Sequence, residues 1–168
     1  LEEKKHGGFQ GGYDRHGKRT AVTDKAMLAQ ARSVVMMAHA MRLGFDWPDG
    51  RGVLKRGIDF LFRHFRDPEF DGYYWMVTED GRALDDTKVI YGHSFLIYAL
   101  AEHGLLTGDA ASREEACRLF DLLMGKAADI RHGGFFEHYD RRFNLVAVRA
   151  DGLAHKSLDV HMHLLEAF

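Results

Sequence analysis

The chain carries three copies of one sequence pattern, and recurrence at a near-constant spacing constrains its fold more than any single motif does. Each copy has a glycine followed by an aromatic residue, then a short polar turn, then a lysine ahead of an apolar stretch. The glycines before the aromatic residues are Gly8, Gly72 and Gly134, which are 64 and 62 positions apart. Such a period indicates a repeat architecture, in which each unit buries its apolar surface against its neighbours.

Each repeat reads as one short hairpin followed by two helices. Apolar residues recur at helical spacing after each lysine, and residues 71–85 alternate aromatic and polar residues as a hairpin does. We predict that Asp24 caps the first helix and that Gly44 ends it. The predicted helices cover residues 25–43, 52–65, 87 to 104–108, 110–129 and 157–168.

The first helix of each pair is apolar almost all round, whereas the second has one apolar face. A helix that is apolar all round is surrounded by protein, so the pattern predicts an inner ring of buried helices and an outer ring of amphipathic ones. The fold class is therefore an all-α helical toroid with short β-hairpins between helix pairs. Two complete pairs and the start of a third are present, and the last helix stops without a cap. We expect residues 1–168 to be a single domain that forms the N-terminal part of a longer toroid.

Composition excludes several classes of partner. A formal net charge of -2 gives no basic surface for nucleic acid or for an anionic membrane. The apolar runs are too short to span a bilayer. The single cysteine, Cys117, rules out an internal disulfide framework and fits a reducing compartment, so we predict a cytoplasmic protein.

Alignment of the inner helices on their lysines picks out polar residues at apolar positions. Three residues after the lysine stand Leu28, Tyr91 and Asp159; five after it, Gln30, His93 and His161; seven after it, Arg32, Phe95 and His163. Offsets of zero, three and seven share one helix face, so Lys156, Asp159 and His163 form a predicted polar stripe. A polar stripe on a buried helix needs internal partners or a water-lined lumen.

Simpler interpretations stay open for each of these side chains. His163 can be a core histidine bonded to a carbonyl or to Asp159, Arg32 a surface charge, and Tyr91 a packed aromatic. His93 and Gln30 can pack between helices, and Glu166 is placed to orient His163. His161 and His163 would share a metal on a strand, but on a helix they diverge by about 200°. We therefore predict no metal and no cofactor.

Several strings resemble the N-acylglucosamine 2-epimerase family, and within it the cellobiose 2-epimerase and mannose isomerase branches. The resemblance extends along the whole chain and corresponds to the N-terminal half of the family's (α/α)6 barrel. It implies a carbohydrate isomerase that interconverts sugars at C2 without redox chemistry. The strings are Gly7-Gly8-Phe9, Ala29-Gln30-Ala31-Arg32, Tyr91-Gly92-His93-Ser94-Phe95 and His161-Met162-His163-Leu164-Leu165-Glu166-Ala167-Phe168.

The resemblance also assigns roles to site residues. It implies that Arg32 lies near the C1 and C2 oxygens of the sugar, that His163 is the first of three active-site histidines, and that Tyr91 contacts the substrate. Asp159 stands where relatives often have asparagine, and we add His93 as a further substrate contact. The histidines that move the proton at carbon would lie beyond Phe168. The expected partner is a small-molecule sugar, and a homodimer through the outer helices is compatible with such a barrel.

Two other functions fit the same toroid. A glycoside hydrolase or lyase would need two carboxylates across the scissile bond, and Asp159 is the one carboxylate at a predicted lumen position. A non-enzymatic repeat scaffold would need no polar pocket at all. The polar residues on the inner helices favour the epimerase or isomerase over both.

Overall fold

The computed structural model of the protein describes residues 2–146 and 155–168. Helices dominate these residues, and short strands precede or separate them. In chain order they are β1 (Lys25–Ala26), α1 (Met27–Arg42), α2 (Gly50–Phe60) with a π-helical turn (Leu61–Phe65), β2 (Met76–Val77), β3 (Ala83–Asp85), β4 (Lys88–Val89), α3 (Ile90–Thr107), α4 (Ala110–Lys126), β5 (His138–Tyr139) and α5 (Leu158–Ala167). Within the described ranges, no helix combines the length and the apolar character needed to cross a membrane.

The helices form two layers. Helix α3 packs against α1 on one side and α5 on the other, which places these three in one inner row. Helix α2 packs against α1, and α4 packs against α3, in an outer row. Twelve of the 18 residues of α3 are buried, as expected for a helix surrounded by protein. The predicted pairing of inner and outer helices is confirmed.

The short strands join neighbouring repeats. Strands β2 and β3 form the predicted hairpin, and β2 also pairs antiparallel with β1, which leads into α1. Strand β5 pairs in the same way with β4, which leads into α3. In addition, the Trp75 carbonyl accepts a hydrogen bond from the Met27 N–H, and the Glu137 carbonyl accepts one from the Ile90 N–H, each at 2.9 Å. Each hairpin therefore caps the inner helix of the repeat before it.

Two predicted helix boundaries are wrong at their N-terminal ends. Lys25 and Lys88 lie in strands just ahead of the helices, because their backbones pair with the next repeat. Asp24 is not the cap of α1. The N-cap residue is Ala26, and no side chain forms a capping hydrogen bond at this end of the helix. The predicted stop at Gly44 is confirmed, since Gly44 follows the helix with a positive φ of 86°.

The three lysines are anchored to acidic residues that stand five positions before the glycine of each turn. Lys25 and Lys88 are almost completely buried, so each needs a compensating charge. The nitrogen–oxygen distances are 3.5 Å for Lys25–Glu3, 2.8 Å for Lys88–Asp67 and 2.5 Å for Lys156–Asp129. The lysines therefore hold the turns, and Lys156 of the predicted polar stripe has internal partners, Asp129 and the Gly133 carbonyl.

Candidate active site

The residues seven positions after the lysines meet on the inner row of helices. The guanidinium carbon of Arg32 lies 5.1 Å from the centre of the Phe95 ring, and the Phe95 and His163 ring centres are 4.4 Å apart. Tyr91 joins them, with its ring centre 5.3 Å from that of His163 and 5.6 Å from that of Phe95. We call Arg32, Tyr91, Phe95 and His163 the inner-face cluster. It unites residues from α1, α3 and α5.

The Arg32 side chain lies at the surface of the inner row of helices. The residue is exposed, and its guanidinium rests on the face of Phe95 in a cation–π arrangement. Among residues 2–146 and 155–168, no carboxylate forms an ion pair with Arg32. Its fork of N–H donors is thus available to an oxygen-rich ligand, and the stacked aromatic ring limits the orientations of the guanidinium.

A carboxylate fixes the orientation of His163. Its Nδ1 atom lies 2.7 Å from Oε2 of Glu166, one turn further along α5. An ionised carboxylate only accepts hydrogen bonds, so Nδ1 carries the proton and donates it to Glu166. In the neutral ring Nε2 then keeps a lone pair, which can take a proton from a ligand.

Asp159 lies one helical turn before His163 on α5 and shares its side of the helix. The residue is exposed. Its place in the first turn suits a negative charge, because the unpaired backbone N–H groups make that end of the helix electropositive. The structure therefore places a hydrogen-bond acceptor one turn before His163, the α5 member of the inner-face cluster.

His93 requires a correction, because its side chain points away from the cluster. The ring is fully buried; Nε2 accepts the Tyr73 N–H at 3.0 Å, and Nδ1 lies 2.8 Å from the Val89 carbonyl oxygen. Burial lowers the pKa of His93 to about 4, so the ring is neutral. With both nitrogens bonded to the backbone, His93 has no atom left for a sugar. We remove it from the proposed substrate contacts.

The residue five positions after each lysine holds the glycine–aromatic turn of its own repeat. Gln30 accepts the Phe9 N–H at 2.7 Å, as His93 does for Tyr73. His161 accepts the Phe135 N–H at 3.0 Å and bonds through Nδ1 to a backbone carbonyl. The predicted divergence of His161 and His163 is confirmed, since only His163 reaches the cluster.

Replacing His93 with glutamine is expected to remove an acid sensitivity without loosening the turn. Gln30 already performs this task in the first repeat, so glutamine can accept the Tyr73 N–H. Because the pKa of His93 is lowered from 6.5 to about 4, protonation favours the unfolded chain. His93 therefore contributes stability above pH 6.5 that is lost as the pH falls towards 4, by about 3 kcal/mol.

The measurement is the free energy of unfolding in urea at several pH values, compared between wild type and His93→Gln. The difference should be small at pH 7.5 and should shift in favour of the variant on acidification. His93→Ala is the comparison variant that removes the hydrogen bond to the Tyr73 N–H. It should lower the free energy of unfolding at every pH, since a buried N–H loses its acceptor. Parallel wild-type and glutamine curves would contradict this role.

Phe95 is the member of the cluster that the sequence did not indicate as a site residue. The structure buries its side chain. Its ring nevertheless lies between Arg32 and His163 and contacts both. Its position in the alignment could have indicated this role, because Phe95 stands where the other two repeats have Arg32 and His163.

The sequence matches the family model described as N-acylglucosamine 2-epimerase over residues 7–168. It is 30% identical to a cellobiose 2-epimerase of Bacteroides fragilis over 172 aligned positions, which cover 100% of this chain and 44% of that protein. It is 28% identical to a D-mannose isomerase of Thermobifida fusca over 124 positions, covering 72% of this chain and 28% of that protein. The chain thus spans less than half the length of these relatives.

Solved structures show the same fold. The cellobiose 2-epimerase of Spirochaeta thermophila superposes with a TM-score of 0.88 at 28% identity, covering 99% of this chain and 42% of that chain. An endo-β-1,4-glucanase from Acetobacter xylinum superposes with a TM-score of 0.67 at 10% identity, covering 89% and 44%. The second likeness shows the shared fold alone, because one toroid supports different chemistries.

The match to the family model covers nearly the whole chain, and the full-length alignment to a cellobiose 2-epimerase agrees with it. The two layers of helices are those of the (α/α)6 barrel seen in the superposed epimerase. The chain belongs to the N-acylglucosamine 2-epimerase family, whose named relatives here are carbohydrate epimerases and isomerases.

Proposed function

We propose that the protein is a sugar 2-epimerase or aldose–ketose isomerase that acts on a reducing sugar through a cis-enediolate. The observation that carries this proposal is the inner-face cluster, in which a carboxylate-oriented histidine and an arginine flank two aromatic rings. The cluster lies on the inner row of helices of a chain that belongs to a carbohydrate epimerase family. The proposed partner is therefore a small-molecule sugar bound at the inner face.

His163 is proposed to assist opening of the sugar ring. Its Nε2 lone pair can take the proton of the C1 hydroxyl as the bond between C1 and the ring oxygen breaks. The ring oxygen leaves with the electron pair of that bond and takes a proton from water, which completes the open-chain aldehyde. An imidazole suits this step, because it is the side chain that most readily both takes and gives a proton near neutral pH. The same nitrogen can return the proton to an oxygen later in the reaction.

Arg32 is proposed to stabilise the enediolate. Loss of the C2 proton places negative charge on the oxygen at C1, and a permanently protonated guanidinium can hold that charge through two parallel hydrogen bonds. Stacking on Phe95 limits the orientations of the guanidinium. This interaction strengthens as charge develops, so it accelerates the reaction and does not merely tighten binding.

Tyr91 and Asp159 are proposed to hold the sugar, whereas the buried Phe95 supports Arg32 and His163. The half-buried Tyr91 ring offers an apolar surface on which the C–H face of a sugar can pack, and the Tyr91 hydroxyl and the Asp159 carboxylate can bond to its hydroxyl groups. Whether the product is an epimer or a ketose depends on which carbon of the enediolate is reprotonated. Relatives with both kinds of name occur, so the reaction class is proposed at that coarser level.

Incubation of the intact protein with mannose, glucose, N-acetylmannosamine and cellobiose tests the proposal. We expect one of these sugars to be converted to its C2 epimer or ketose, with the number of sugar units unchanged. Chromatography of the products separates the outcomes. Release of glucose from cellobiose would instead identify a hydrolase and would contradict the proposal.

Replacing Glu166 with alanine is expected to lower kcat by about 10- to 100-fold with little change in KM. The reason is that His163 would lose the hydrogen bond that fixes its tautomer and its orientation. General acid–base catalysis contributes about 10²–10⁴-fold to a reaction rate, so part of that contribution would be lost. Glu166→Gln should retain most of the activity, since the amide oxygen can still accept the Nδ1 proton. Steady-state kinetics of the two variants provide the test.

The exposed Glu114 of α4 offers a control, because it lies on the outer row. Glu114→Ala should leave both kinetic parameters unchanged. Equal losses in Glu166→Gln and Glu166→Ala would show that the charge of Glu166, rather than the hydrogen bond that positions His163, matters. No loss in either variant would exclude a positioning role.

A further inference from the structure

A second group of polar side chains lies at the entrance to α5, outside the inner-face cluster. Glu137, His138 and His155 each offer one ligand atom, and these atoms all lie within 4.8 Å of one another. Glu137 Oε2 is 3.0 Å from Nδ1 of His155, and Glu137 Oε1 is 3.8 Å from Nε2 of His138. Two imidazoles and a carboxylate form a donor set that binds Zn²⁺ in proteins.

The spacing of these atoms suits a tetrahedral ion. With Zn–N and Zn–O bonds of about 2.0–2.2 Å, ligand atoms around a tetrahedral Zn²⁺ lie about 3.4 Å apart. The 3.0 Å contact, at present a hydrogen bond, and the 3.8 Å contact use different oxygens of the Glu137 carboxylate, and one ligand atom from each of the three residues lies within 4.8 Å of the others. The Glu137 side chain is only 11% exposed, whereas His138 and His155 are 34% and 39% exposed. An ion would therefore have an anchored carboxylate on one side and room for a water molecule on the other.

The repeats show that packing does not demand these residue types. Glu137 and His138 follow Gly134 by three and four positions, and the corresponding residues of the second repeat are Trp75 and Met76. The structural equivalence is direct, since the carbonyls of Trp75 and Glu137 both cap an inner helix. His155 likewise precedes its lysine where the second repeat has Thr87 and the first has Asp24. The full set of three donors occurs in the third repeat alone.

We propose that Glu137, His138 and His155 form a Zn²⁺ site that fixes the entrance of α5. The Glu137 N–H already donates to the His155 carbonyl at 3.1 Å, so the two segments are in contact. An ion shared by their side chains would fasten β5 to the residues ahead of α5. Because α5 carries Asp159 and His163, the site would hold one wall of the inner face without touching the substrate.

Zinc binding to the intact protein provides the test. Protein stripped with chelator and dialysed is titrated with Zn²⁺ against a chromophoric competitor, and Co²⁺ is added separately to record the visible absorption of a four-coordinate site. We expect one equivalent to bind, and expect His138→Ala and His155→Ala each to weaken binding by about 100-fold or more, since each removes a ligand. His132→Ala, an exposed histidine of the same repeat, is the matched control.

Loss of binding in both ligand variants, with wild-type affinity in His132→Ala and unchanged circular dichroism, would support the site. Wild-type protein that binds no stoichiometric Zn²⁺ would overturn it, as would equal affinities in wild type and both ligand variants. Should a variant fail to fold, the wild-type Co²⁺ spectrum decides, because a spectrum without four-coordinate bands excludes the proposed geometry. These readouts measure metal binding, so they are independent of the proposed sugar chemistry.

Discussion

Replacement of Arg32 with methionine is expected to lower kcat by about 10²–10³-fold, the loss seen when one group that stabilises a developing oxyanion is removed. The methionine side chain can still pack on Phe95, but it carries no charge and no donors. Since Arg32 is exposed and its described contact is the stack on Phe95, the fold should tolerate the change. Steady-state kinetics on the sugar that the protein converts, together with the melting temperature, measure both effects.

Two further variants sharpen the test of Arg32. Arg32→Lys keeps the charge but loses the planar fork, so it should recover only part of the lost rate. Arg63→Met makes the same replacement at an exposed arginine in the outer row and should leave kcat unchanged. If Arg32→Met retained wild-type kcat, the proposed role in holding the enediolate would be excluded.

Replacement of Asp67 with asparagine is expected to lower the free energy of unfolding by about 3–5 kcal/mol, because it leaves a buried ammonium without its counter-charge. The side chains of Asp67 and Lys88 have no exposed surface, and their charged atoms are 2.8 Å apart. Arg141 also donates to Asp67, at 2.9 Å. Urea-induced unfolding of wild type and variant, followed by circular dichroism, measures the loss.

The expected loss can be separated from a general effect of removing a carboxylate. Asp59→Asn breaks an exposed pair with Lys55 and should cost no more than about 1 kcal/mol. Lys88→Met in the Asp67→Asn background should restore part of the stability, because the unpaired charge is gone. Equal effects of Asp67→Asn and Asp59→Asn would contradict a buried ion pair.

The same pair makes the fold sensitive to strong acid. Burial alone would raise the pKa of Asp67, but hydrogen bonds from Arg141 and Lys88 outweigh it and hold the pKa well below its usual range. A carboxyl with a lowered pKa contributes stability that is present above its ordinary pKa of 3.8 and is lost as the pH falls below that value. The destabilisation caused by Asp67→Asn should accordingly shrink below pH 3.8.

The repeat pattern predicted much of the fold because the helices follow local rules. The spacing of apolar residues predicted the inner and the outer layer of helices. The alignment on the lysines put Arg32 and His163 at equivalent positions, and in the structure both contact Phe95. The start of α1 was misplaced because Lys25 pairs with Val77, a contact between repeats that no local pattern reveals. The acidic partner of each lysine was missed for the same reason.

The sequence also could not show in which direction a side chain on an inner helix points. His93 and His163 are two positions apart in the alignment and chemically identical, yet one holds a backbone turn while the other lies in the cluster. Their roles differ through the helical rotation between them and through their partners, which only the packed helices determine. The group formed by Glu137, His138 and His155 was likewise invisible, since it depends on a contact between β5 and the entrance of α5.

The central claim is that this inner face carries sugar chemistry at C2, and solvent exchange measures that step directly. The intact protein is incubated with each candidate sugar in deuterated water, and proton NMR follows the signal at C2 together with the products. We expect deuterium to enter C2 of one sugar as its epimer or ketose accumulates, with both processes abolished or greatly slowed by Arg32→Met. A folded protein that exchanges no C2 proton in any of these sugars would contradict the account.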